Sequence, residues 1–168
     1  YLLSVGVGFF KDFKIHMSDI QVIPISSRSD ILYLNIDNKY LEGNEFFDSK
    51  ELFFLGDEKK DPQLFTIPHI RTKVDPTLTD IKVEVYKRAY GRTRASAVRT
   101  AKRANLDYVL TDSLLTISPK IYSQSNPWRG ETFDITISMP AGKKVKLDQS
   151  LKETFWRYSY FDDDSDDD

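Results

Sequence analysis

Cysteine is absent from all 168 residues, which excludes disulfides, thiolate zinc sites and cysteine nucleophiles. The lack of cysteine fits an oxidising compartment, but by itself it fixes none. Histidine is nearly absent too. His16 and His69 stand 53 positions apart and follow no metal-ligand spacing. No P-loop, G-x-G-x-x-G fingerprint or G-x-S-x-G elbow occurs, and no Ser lies beside a His in sequence. No apolar run reaches the 18 or so residues that a bilayer span needs. The longest, LLSVGVGFF near the start, is broken by Gly6 and Gly8. It reads as a first strand, or within residues 1–18 as a membrane-proximal segment. Tyr rather than Met at position 1 is expected of a chain cut or processed from a longer one.

Aromatic residues and segregated charge are present instead. Eleven Phe and nine Tyr favour sheet over helix bundle. The net charge of -2 hides a division. Six Asp surround Ser165 in Asp162–Asp168, so the remainder of the chain carries +4. Within Lys82–Arg103 there are eight basic residues against Glu84 alone. The expected organisation is one β-rich domain over residues 1–161 and an acidic, disordered tail over 162–168.

Alternation sets the strands. In Asp30–Asp37, Leu32, Leu34 and Ile36 share an apolar face that should point inward. In Ile81–Tyr90, Ile81, Val83 and Val85 alternate with Lys82, Glu84 and Tyr86. Phe133, Ile135, Ile137 and Met139 alternate with Asp134, Thr136 and Ser138. Gly91 ends the second of these strands. Thr93 is placed to cap one short helix over residues 94–104, whose Ala97, Ala101 and Ala104 form a small-residue face. Asn105 suits a left-handed cap after it. The pattern predicts a mainly β fold with a single helix, either stacked in a coil-like manner or folded as an antiparallel β-sandwich.

Three stretches together resemble the C-terminal domain of Bacteroidetes proteins related to phage-shock protein C. They are IKVEVYKRAYGRTRASAVRTA, LDYVLTDSLLTISP and PWRGETFDITISMPAGKKVKLDQSL. The last places Trp128-Arg129 before an apolar strand, then Pro140-Ala-Gly-Lys143 and Leu147-Asp148. The resemblance implies a stacked β-solenoid or toast-rack architecture. It also implies attachment to a cytoplasmic-membrane region outside this chain, an extracytoplasmic (periplasmic) position and a role in envelope stress. It brings no catalytic residues and no cofactor.

The expected activity is therefore binding or sensing without chemistry. The expected partner is an envelope protein or an anionic membrane surface, with self-association open and nucleic acid not expected. Lys87, Arg88, Arg92, Arg99, Lys102 and Arg103 are the candidates for an anionic surface, with Tyr86 and Tyr90 nearby. Trp128, Trp156 and Tyr158 are the candidates for aromatic partner contact. A glycan-binding or carbohydrate-active module is the alternative from another class, with Asp80, Glu84, Asp107 and Asp134 as carboxylates to consider. An adhesin-like structural domain is a third.

Overall fold

The computed structural model describes residues 15–25, 29–37, 45–49, 52–56, 63–66, 68–123, 125–147 and 161–163, with the backbone alone at 45–49, 52–56, 63–64 and 161–163. The expected first strand before residue 14 and the aromatic segment Thr154–Tyr160 lie outside these residues.

Three sheets make up the structure. In the first, β1 (Ile15–Ile23) pairs antiparallel with β7 (Lys82–Gly91), and β7 pairs antiparallel with β11 (Thr132–Met139). β11 then runs parallel to β6 (His69–Val74), and β6 parallel to β13 (Phe161–Asp163). The second sheet has the order β12 (Lys144–Leu147), β2 (Ile31–Ile36), β9 (Leu114–Ile117), β8 (Tyr108–Thr111). Its first three strands are mutually parallel, and β8 closes a hairpin with β9. The third is an antiparallel sheet of β10 (Lys120–Tyr122), β5 (Gln63–Thr66), β4 (Leu52–Gly56) and β3 (Glu45–Ser49).

The fold is mainly β, with one short helix, α1 (Arg94–Arg103), among the described residues. Parallel neighbours in two sheets correct the expectation of a purely antiparallel sandwich. The reason lies in the connections. After β9 the chain visits the third sheet, then the first, then the second. Strands re-entering a sheet by such crossovers can run parallel to their neighbours, which a two-residue hairpin forbids.

The inner faces of the first two sheets share one core. Leu32, Leu34, Ile36, Leu115 and Ile117 from the second sheet meet Ile23, Val83, Val85, Ile135, Ile137 and Ile70 from the first. The alternation over Asp30–Asp37 therefore holds, with all three apolar residues fully buried. In the β8–β9 turn the left-handed residue is Asp112, at φ 52°. A short polar side chain tolerates that region better than a branched one.

In β13, Asp162 and Asp163 lie opposite Arg71 and Thr72 of β6. The backbone of β6 offers a free edge there.

Candidate functional site

The basic segment folds as a strand, a tight corner and a helix. β7 ends at Gly91, where the chain meets the first turn of α1 almost in contact. A Cβ on Gly91 would lie 2.6 Å from the Ala97 backbone nitrogen and closer still to Ser96 Oγ. Glycine is required there by space. Thr93 then opens the helix with a complete capping box: Thr93 Oγ1 accepts from Ser96 N at 3.1 Å, and Thr93 N donates to Ser96 Oγ at 3.1 Å.

Ala97, Ala101 and Ala104 are buried against β1 and β7, as their spacing predicts. Arg99, Lys102 and Arg103 are all exposed. At 100° per residue they fall within one arc opposite the alanines. Arg94 is exposed in the first turn, and the helix carries no acidic residue. Lys102 and Arg103 also sit at the negative end of the helix dipole, which favours them.

Lys87 is a correction. Expected at the surface, it is 1% exposed. β7 keeps alternating past Val85, so Lys87 points inward beneath the end of α1. Its ammonium has three donors, and three acceptors receive them: Asp19 Oδ2 at 3.0 Å, Asn105 Oδ1 at 2.7 Å and the Lys102 carbonyl at 3.3 Å. Asn105 is likewise reassigned. It does not take the left-handed conformation, and its amide serves Lys87 instead. The hydrogen bond from Lys87, and then its charge, hold the Asp19 carboxyl below the usual carboxylate range.

A second clasp lies beside it. The Gln21 side chain grips the Leu106 backbone from both sides, accepting from Leu106 N at 3.0 Å and donating to its carbonyl at 3.1 Å. Gln21 thus acts as a local strand partner for the chain leaving α1. Neither Asp19 nor Gln21 was singled out by sequence. Their inward positions follow from the β1–β7 register, where Asp19 faces Lys87 and Gln21 faces Val85.

The remaining basic residues do not form one patch. Arg88 lies on the outer face of the sheet, opposite Ser18 and Thr132, with Tyr86 and Tyr90 on that same face. That face is turned away from α1. The two tyrosines therefore do not accompany the helix at a surface. Arg92 is exposed in the corner between them.

Trp128 is half-buried and anchors its own loop rather than offering an open platform. Its indole N–H donates to the Glu131 carbonyl at 2.9 Å. The Glu131 carboxylate accepts from the Arg129 backbone N–H, and the Arg129 carbonyl accepts from Tyr90 N at 3.0 Å. Gly130 permits this turn at φ 71°. Burial pushes the Glu131 carboxyl above its ordinary range, opposed by the hydrogen bond from Arg129 N. Trp156 and Tyr158 lie outside the described residues.

The histidines stand apart. His16 tilts against Tyr90 with ring centroids 5.7 Å apart, while His69 Nδ1 lies 3.7 Å from Asp134 Oδ1. Two strands, β7 and β11, separate them. Among the carboxylates, Asp80 pairs with Lys143 at 2.9 Å and Glu84 with Lys82 at 3.3 Å.

This geometry accompanies a match over residues 56–168 to the family model of the toast-rack domain found in some PspC proteins. The chain belongs to that family. The toast-rack assignment makes this a phage-shock-type, stress-related domain. No curated protein and no solved structure matches the chain. The match begins after β1 and β2, yet the packed unit includes both. β1 supplies Asp19 and Gln21 to the clasps on the toast-rack helix, and β2 supplies the centre of the second sheet. No helix among the described residues is long and apolar enough to cross a membrane.

Proposed function

We propose that this toast-rack domain is a non-catalytic docking module of a membrane-anchored envelope-stress protein. It faces the extracytoplasmic side and reads an anionic membrane surface through the outer arc of α1. The observation that carries this reading is Arg99, Lys102 and Arg103 on one exposed arc of a helix without acidic residues. The capping box, the alanine stripe and the Lys87 clasp hold that arc in place, so little ordering is needed on contact. Each basic residue near an anionic surface contributes about 1 kcal/mol. Three or four together give a weak attraction that salt screens. The ion pairs at Asp80 and Glu84 engage two of the carboxylates that glycosidase chemistry would use, which favours binding over catalysis.

Co-sedimentation with anionic and neutral vesicles tests this. The expected result is salt-sensitive binding to anionic vesicles, abolished in Arg99→Glu/Lys102→Glu/Arg103→Glu. Binding to an envelope protein through the same arc is the second reading. It would leave the vesicles unbound.

A further inference from the structure

The edges of the first two sheets are not alike. β12 carries exposed Lys144 and Lys146, β8 is only four residues long, and β13 is three residues with two Asp. These are the usual ways of blunting an edge against pairing: charge and shortness. β1 has neither. It runs nine residues, about 30 Å, with β7 on one side and no described strand on the other. Its outward side chains are His16, Ser18, Ile20 and Val22, with no Lys, Arg, Asp or Glu among them. Its one acidic residue, Asp19, points inward and is neutralised by Lys87.

The outer face beside this edge carries an apolar patch between Arg88 and Glu84. Ile20 is 54% exposed and Val22 57%, and Tyr86 stands directly across from Ile20 at 39%. Water can satisfy an exposed edge, but an uncharged edge of this length is a ready template for pairing with a second strand. We infer that the partner is β1 of a second copy of this chain, joined antiparallel so that the two five-stranded sheets become one of ten.

A register centred on Ile20 is self-complementary. With Ile20 opposite Ile20 of the second copy, Asp19 faces Gln21, Met17 faces Ile23 and Ser18 faces Val22. No like charges meet. The outer face gains an unbroken row of Tyr86, Ile20, Ile20 and Tyr86 across four strands, the aromatic–aliphatic pairing that stabilises neighbouring strands. A register centred on Asp19 would instead set two carboxylates opposite each other. The two-fold axis stands perpendicular to the sheet, so both copies of α1 come to the same side. Two basic arcs then face one surface together. The interface itself rests on β1 alone and stands or falls apart from membrane docking.

Sedimentation velocity over increasing concentration reads the association. The expected result is a reversible dimer in the wild type and a monomer in Ile20→Lys. That side chain is solvent-facing in the single chain, so the variant should keep the melting temperature of the wild type measured at concentrations where the wild type is a monomer. Because the chain lacks cysteine, a single introduced thiol reports the register. Ile20→Cys should form a disulfide-linked dimer under mild oxidation, since directly opposed residues on antiparallel strands fall within disulfide reach. Val109→Cys, exposed on the β8 edge, should not. A wild type monomeric at every concentration would overturn the inference. So would cross-linking through position 109 that matches or exceeds that through position 20.

Discussion

Lys87 and Asp19 sit directly across β7 and β1, with the ammonium 3.0 Å from the carboxylate. The lysine side chain is 2% exposed and the aspartate 34%. One end of the pair is dry and the other reaches water, so removing each partner has different consequences. Lys87→Met fills the stem volume but leaves Asp19 and Asn105 without their donor. Fully buried pairs lose roughly 3–5 kcal/mol when broken. Here Asp19 can be rehydrated, so a loss of about 2 kcal/mol is expected. Thermal and urea melts measure it.

The same pair shapes the acid limb of stability. The folded-state pKa of Asp19 lies below its ordinary 3.8. Its contribution is therefore complete above the unfolded value and is lost as pH falls through the folded one. Asp19→Asn should flatten the decline in stability below about pH 4. An unchanged slope in urea melts across that range would count against the pair.

Glu131 has the opposite sign. Burial raises its pKa above the ordinary 4.5, so the folded state holds the proton more tightly. Below 4.5 the carboxyl is neutral in both states and carries no penalty. As pH rises through the folded value, the buried group ionises and stability falls. Glu131→Gln keeps an oxygen for Arg129 N–H and removes that slope. It should gain on the wild type as pH rises from 4.5 towards neutrality. Glu131→Ala loses the loop anchor and should melt lower at every pH.

Gly91→Ala isolates the corner between β7 and α1. The added methyl meets the Ala97 backbone nitrogen, which a rotamer change cannot move. Overpacking of this kind costs about 1–3 kcal/mol. A variant as stable as the wild type would show that the corner relaxes.

The helix was legible because its signals are local. Thr93, the alanine spacing and Gly91 each act within one turn of their neighbours. The inward apolar faces of β2, β7 and β11 were legible for the same reason, since alternation repeats every two residues. The parallel pairs were not, because β2 with β12 and β6 with β11 join residues more than sixty positions apart. The site was half legible. Arg99, Lys102 and Arg103 stand where the helical wheel puts them. Lys87 does not, because a basic residue on an alternating strand reads as exposed unless its inward parity is followed past Val85. Its acceptors are invisible locally: Asp19 lies sixty-eight positions away, and Asn105 reads as a cap.

Separation of the basic segment by the sheet gives the most direct test of docking through α1. Vesicle co-sedimentation should be run with Arg88→Glu beside Arg99→Glu/Lys102→Glu/Arg103→Glu, at low and high salt. Arg88 lies on the face turned away from the helix, so its reversal should leave anionic-vesicle binding close to wild type. The triple reversal should abolish it, and high salt should weaken the wild type in the same direction. Equal loss in both variants, or wild-type protein that stays in the supernatant with every vesicle, would contradict docking through the helix arc.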